Sequence, residues 1–386
     1  PWLGFPDKAG LELHCCMKFS DNNNGSVERI YPLGGNSFGI VEKLCFMNQY
    51  HGQQRVSVFT VENLQAEYIP GQPITSTFNL RKSVIFEEFR DPVQAIDVLD
   101  ENIAMFITQR GRVFRANLKS YSIEYIVELN GLVAQERKID KFFVLAGNKV
   151  AISTRKDSSQ SAKIIIFSLE TRSVEWNSRD YEVDEEEDDE AEWPEVIYSF
   201  YDMVKLNPKE ILLSFKTTED EVTSYKMGKL SPSQDEEDFG KFVLFGSKMQ
   251  KPREAIFDRL WNLEGSLVAM RHGESVFHLS FVNSKTLTIE KEFDVLKYLS
   301  VGTLPPSGII NVQHIDRRMI SIQFKKSDFS FAVLIYNIET EELIHQVETN
   351  KIVIGTIRKC YWDENVLHTM DRMMIFGPDK YFGDPL

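Results

Sequence analysis

The sequence predicts an all-β fold in which one four-stranded antiparallel unit is repeated along the chain. Three observations carry the prediction. The stretch Lys141–Trp176 holds four short apolar runs, Phe142–Leu145, Val150–Thr154, Lys163–Leu169 and Ser173–Trp176, separated by turns that carry Gly-Asn, Lys-Asp-Ser-Ser and Glu-Thr. Nothing in it is long enough or suitably periodic for a helix. Units aligned on their third strand start at Arg55, Arg112, Lys163, Val222, Val276, Phe331 and Met373, at intervals of 57, 51, 59, 54, 55 and 42 residues. A hydrophobic content of 42%, with 27 Phe and 13 Tyr, supplies a core and favours strands.

The elements follow in order. Leu11–Phe19 is a strand with no unit of its own. Unit one, 27–70, reads as Val27–Leu33, Val41–Met47, Arg55–Val61 and Gln65–Ile69. Units two to six span 94–129, 141–177, 197–245, 256–293 and 309–348. Their inner pairs share one plan, seen in residues 95–109, 142–155, 202–216, 258–271 and 311–325: an apolar strand, a tight polar turn and a second apolar strand. The last unit, 357–376, stops after its third strand, Met373–Phe376. Placing Leu11–Phe19 as its outer strand joins the chain ends and removes an exposed edge. Regular spacing near 55 with four strands per unit describes propeller blades. The expected fold is a single domain over 1–386, a seven-bladed β-propeller closed by its N-terminal strand.

Three connections depart from the plan. Pro70–Asp91 reads as a long link between blades one and two. Residues 178–195 form an acidic, disordered loop, too charged to pack. Ser231–Phe239 interrupts blade four, with Lys241–Phe245 as its resumed fourth strand.

This arrangement resembles the seven-bladed β-propellers of the WD-repeat-like superfamily over nearly the whole chain. The resemblance lies in architecture. No blade places Gly-His and Trp-Asp where that repeat has them, and Glu175-Trp176 and Trp362-Asp363 fall out of register. The glycine pairs of kelch repeats and the Asp-boxes of sialidases are also missing. The resemblance implies that the second-to-third-strand loops share one face around the channel mouth. It also implies a binding platform rather than an enzyme.

Composition narrows the function classes. A net charge of −14 opposes bulk attraction to nucleic acid or anionic membrane. No apolar run approaches a membrane span. The cysteines Cys15, Cys16, Cys45 and Cys360 have no metal-binding spacing. They read as reduced thiols of an intracellular protein, in cytoplasm or nucleus. The start at Pro1 suggests a piece of a longer polypeptide. No phosphate-binding loop, dinucleotide glycine motif or hydrolase motif occurs, so no catalytic residue, cofactor or metal is assigned. His278 and His368 sit at strand positions and read as structural, and Phe142, Phe143, Tyr201, Trp261 and Trp362 read as packing between sheets.

Two charged features remain. Basic residues fall at the end of the second strand in six blades: Arg110, Arg155, Lys216, Arg271, Lys325 and Arg372, reinforced by Arg112, Lys156, His272 and Lys326. A ring of such groups binds carboxylate or phosphate. The competing reading is that Lys or Arg at a strand end is only a solvated terminator. The second feature is the acidic run Glu182, Asp184, Glu185, Glu186, Glu187, Asp188, Asp189, Glu190 and Glu192. It reads as a solvated insertion, or as a dock for a basic partner. The expected function is a non-enzymatic scaffold that binds other proteins through an acidic or phosphorylated segment. The alternatives are a phosphate-backbone binder of nucleic acid and a hydrolase with a channel-mouth site.

Overall fold

The computed structural model describes residues 12–17, 25–32, 37–46, 49–67, 75–89, 91–100, 102–129, 132, 138–155, 161–178, 197–219, 222–233, 242–248, 257–263, 266–272, 277–298, 306–314, 319–326, 331–349, 353–360, 364–369 and 372–377. Within them lie seven four-stranded antiparallel sheets. No helix among them is long and apolar enough to cross a membrane.

The chain opens with β1 (Glu12–Met17). The first sheet follows as β2 (Gly25–Pro32), β3 (Ser37–Phe46), β4 (Gln49–Glu67) and β5 (Thr75–Phe89). The second is β6 (Val93–Asp100), β7 (Ile103–Thr108), β8 (Arg112–Asn117) and β9 (Ser122–Glu128). The third is β10 (Lys138–Leu145), β11 (Lys149–Arg155), β12 (Lys163–Ser168) and β13 (Ser173–Asn177). The fourth is β14 (Ile197–Asn207), β15 (Glu210–Glu219), β16 (Val222–Pro232) and β17 (Phe242–Lys248). The fifth is β18 (Phe257–Asn262), β19 (Leu267–His272), β20 (His278–Asn283) and β21 (Thr288–Asp294). The sixth is β22 (Pro306–His314), β23 (Met319–Lys326), β24 (Phe331–Asn337) and β25 (Glu342–Thr349). In the seventh, β26 (Val353–Cys360), β27 (Glu364–Thr369) and β28 (Arg372–Gly377) are completed by β1, which pairs antiparallel with β28 from Glu12↔Gly377 to Met17↔Met373.

The first sheet differs from its sequence reading. No break separates Val61 from Gln65; β4 runs through both, and the fourth strand is β5, inside the segment read as a link. Thr75–Phe89 is rich in Thr, Val, Ile and Phe and holds no Pro or Gly, so it pairs with β4 along its length, as in Val56↔Phe86 and Val61↔Leu80.

The chain divides into two compact units. One comprises Pro1–Thr108, Phe114–Tyr125 and Val301–Leu386; the other Gln109–Val113 and Ile126–Ser300. In the first, Val41, Val56, Val93, Ile96, Phe106 and Phe114 pack the first sheet against the second, with Phe106 and Phe114 stacked at 5.0 Å. In the second, the third and fourth sheets bury Ile164, Ile166, Trp176, Phe200, Met203, Leu213 and Phe215. The fourth and fifth bury Val204, Leu212, Met227, Leu260, Met270 and Val282. Each such side chain contributes about 1.5–3 kcal/mol when fully withdrawn from water.

One irregularity recurs in all seven sheets. The innermost strand shifts register against its neighbour near its start, between Val27 and Arg29, Val93 and Ala95, Ile139 and Lys141, Phe200 and Asp202, Phe257 and Arg259, Ile309 and Asn311, and Val353 and Gly355. The residue before each shift is apolar. The extra residue bends the strand and re-aims the side chains that flank it.

Candidate functional site

In the second unit each of these bulges carries charge. Asp140 and Lys141 lie on β10, Tyr201 and Asp202 on β14, and Asp258 and Arg259 on β18. The apolar residues on either side are buried, and the bulge frees the two residues between them from strict alternation. Lys141 Nζ donates to Asp202 Oδ2 at 2.7 Å, to the Met203 carbonyl at 2.9 Å and to the Leu260 carbonyl at 2.8 Å. Those three acceptors use all three ammonium protons. Asp202 is 0% exposed, and its Oδ2 also accepts the Leu260 N–H at 2.7 Å. Arg259 Nη1 donates to both oxygens of Asp140, at 2.9 and 2.6 Å, reaching from the fifth sheet to the third.

The second strands add two guanidinium groups. Arg155, at the end of β11, lies 3.2 Å from Asp140 Oδ2 through Nε and 3.7 Å from Asp202 Oδ1 through Nη2, and it donates to the Tyr201 carbonyl. Arg271 on β19 grips Asp258 at 2.9 and 2.5 Å. Four cations thus meet three carboxylates: Lys141, Arg155, Arg259 and Arg271 against Asp140, Asp202 and Asp258.

Electrostatics follow from this crowding. Burial pushes the Asp140 carboxyl upward, but Arg259, Arg155 and Lys141 together outweigh it, and the group is held below the ordinary carboxylate range. Burial lowers the Lys141 ammonium, with Asp202 opposing. Burial also lowers Arg259, but Asp140 and Asp202 more than compensate, so its proton is held more tightly than usual. The Tyr201 phenol is pushed up to about 12, by burial first and Tyr225 second, so it remains a neutral hydrogen-bonding group.

Beside Arg271, the His272 ring packs edge-on against Phe257 at 4.9 Å and against His278 at 5.4 Å, and its Nε2 lies 2.8 Å from Ser280 Oγ. Ser280 is 0% exposed, so its hydroxyl meets the ring inside the sheet packing. Burial and then His278 lower the His272 value, against pulls from Glu292 and Asp258. No group of three or more His, Cys, Asp or Glu among the described residues is arranged to hold a metal ion.

The register corrects the expected ring of basic residues. The residue facing the first position after the bulge is Val41, Ile107, Ser153, Ser214, Arg271, Gln323 and His368 in the seven sheets. Arg155, Lys216 and Lys325 each follow that position by two residues and are equivalent. Arg271 occupies the position itself, Arg110 lies three residues beyond it and Arg372 four. Second strands end at different heights, β15 running on to Glu219 while β19 stops at His272, so alignment by strand end slips.

Exposure differs as well. Arg155 is 5% exposed, not a solvated strand end, because the next sheet's inner strand closes over it. Arg110 is exposed, while Arg112, Lys216, Arg271 and His272 are half-buried. Lys216 has no ion-pair partner among the described residues. The side chains of Lys325, Lys326 and Arg372 lie outside the described set, as do Lys156 and the acidic run Glu182–Glu192.

Asp140, Lys141, Asp202, Asp258 and Arg259 were absent from the sequence expectation. Their signal was available: a charged residue directly follows an apolar one near the start of an inner strand, in KIDKFF, FYDMV and FDRLW.

Among solved structures, the chain is similar to the WD40 β-propeller domain of Doa1, with a TM-score of 0.54 and 10% identity over 97% of this chain and 99% of that one. It is also similar to the Dos1 propeller, with a TM-score of 0.52 and 9% identity over 95% and 96%. No protein-family model matches the chain. No curated protein sequence matches it either. The likeness shows the fold, a β-propeller.

Proposed function

We propose that the chain is a non-enzymatic protein-interaction scaffold that binds an acidic or phosphorylated segment of a partner protein where β10, β14 and β18 begin. One observation carries this reading. A chain of net charge −14 gathers four cations against three carboxylates at that place, and Lys216, with no ion-pair partner among the described residues, adds an ammonium on the neighbouring second strand. Clustered like charge is unfavourable unless matched, and the surplus is small enough to suit one or two anionic groups of a peptide. A nucleic-acid backbone would bring many phosphates against Asp140 and Asp258 as well as against the acidic remainder. The propeller fold is consistent with a binding platform, although fold alone does not select a ligand.

The test is fluorescence anisotropy at low salt with three labelled peptides of equal length: glutamate-rich, neutral with one phosphoserine, and lysine-rich. The reading requires the first two to bind and the third to bind more weakly than either. Preference for the lysine-rich peptide would overturn it.

A further inference from the structure

The four cations of the cluster are not equivalent, and their hydrogen bonding separates them. All three Lys141 protons are used, on Asp202 and two carbonyls. Arg155 is 5% exposed and lies between Asp140 and Asp202. Arg271 is bidentate on Asp258 through Nε and Nη2, the edge that would otherwise hold a ligand carboxylate. Arg259 differs. Both its bonds to Asp140 leave from the single nitrogen Nη1, and its Nε and Nη2 make no hydrogen bond among the described residues. Its side chain is 27% exposed, the most open of the four.

The geometry points to Arg259 as the residue that reads the partner's anion, gripping a carboxylate or a phosphate monoester through its Nε/Nη2 edge while Asp140 holds the other side of the guanidinium. This rests on the anionic-segment reading above and names the residue that decides it. Two parallel N–H donors match two oxygens of one planar or tetrahedral anion, which a lysine at the same place cannot do. Asp140 then has a double role. It orients the guanidinium, and as a fixed carboxylate it offsets part of the charge the ligand would feel.

That double role provides a test in which two variants break the same ion pair with opposite effects on binding. Arg259→Gln removes the reading group; Asp140→Asn removes the competing charge but keeps an amide oxygen that can still accept from the Arg259 guanidinium. The probes are acetylated hexaglutamate, for carboxylate, and a neutral peptide with one phosphoserine, for phosphate, with far-UV circular dichroism confirming folding. Arg259→Gln should weaken both at least about tenfold, the scale of a lost charged hydrogen bond. Arg259→Lys should fall between it and the parent. Asp140→Asn should bind as tightly as the parent or more so. Equal binding by Arg259→Gln and the parent overturns this inference alone, as does equal loss in Arg259→Gln and Asp140→Asn, which would mark the pair as purely structural. Failure of the parent to bind either probe at low salt overturns the functional reading itself, and this inference with it. Binding of only one probe, lost in Arg259→Gln, keeps the inference and identifies which anion the site takes.

Discussion

Lys141 on β10 and Asp202 on β14 meet at 2.7 Å, joining two adjacent sheets through an ion pair whose carboxylate is wholly buried. The same lysine continues to the Leu260 carbonyl on β18, so one side chain ties three inner strands. A buried charge is tolerable only when its partners are complete, which makes the pair costly to break from one side.

Asp202→Ala should therefore cost about 3–5 kcal/mol, because it strands the Lys141 ammonium and the Leu260 N–H. The double variant Lys141→Met, Asp202→Leu should recover the part due to the stranded ammonium, since apolar replacement of both partners removes the unpaired charge while the Leu260 N–H stays without its acceptor. Urea unfolding of the two variants and the parent checks both; a double variant no more stable than Asp202→Ala would contradict the pairing.

The pH dependence has two limbs. His272 holds its proton less readily in the fold than in the unfolded chain, through burial and then His278. The unfolded chain therefore takes up more protons, and stability falls as pH drops through the ordinary histidine value of about 6.5, levelling off below the folded value. His272→Gln should flatten that slope in thermal melts recorded from pH 8 to 5. Asp140 acts at lower pH: its folded value is depressed, so its contribution is present above about 3.9 and is lost as pH falls through the folded value.

Charge reversal should separate two residues that occupy equivalent register positions. Arg155→Glu places a third carboxylate against Asp140 and Asp202 at a buried site and should prevent normal folding. Lys216→Glu, half-buried with no ion-pair partner among the described residues, should leave circular dichroism unchanged and weaken binding of a glutamate-rich peptide. A folded Arg155→Glu would show that the clasp is dispensable.

The acidic run Glu182–Glu192 joins the segments that hold β13 and β14, and β14 carries Asp202. If the proposed site takes an anionic ligand, nine carboxylates on the same chain should compete with it by number rather than by strength, since each pair is screened. Replacing 182–192 by a Gly-Ser linker of equal length should tighten binding of the glutamate-rich peptide at low salt, with the two curves converging as salt rises. Equal affinities at low salt would show that the run ignores the site; weaker binding by the linker variant would assign it to a basic partner.

The sequence made the repeat legible because strand alternation and turn chemistry are local. The strand Lys163–Leu169 was expected and β12 is Lys163–Ser168; β8, β16 and β24 begin at the expected Arg112, Val222 and Phe331. Blade one was misdivided because β4 continues through the polar stretch Glu62–Glu67, where a turn is equally plausible from residue types alone. The site was less legible. Its charges are interleaved with Phe142, Met203 and Leu260, and only the bulge register shows that Lys141, Asp202 and Arg259 share one position. Arg155 and Arg271 stand out in the sequence by their charge, but their carboxylate partners come from other strands, and no local pattern announces such pairs.

The most direct measurement is hydrogen exchange followed by mass spectrometry, with and without saturating glutamate-rich peptide at low salt. The account predicts added protection in fragments covering the starts of β10, β14 and β18, around Lys141, Asp202 and Arg259, with little change in β22–β25. Protection confined to the sheets of the first unit, or none at saturation, would contradict it.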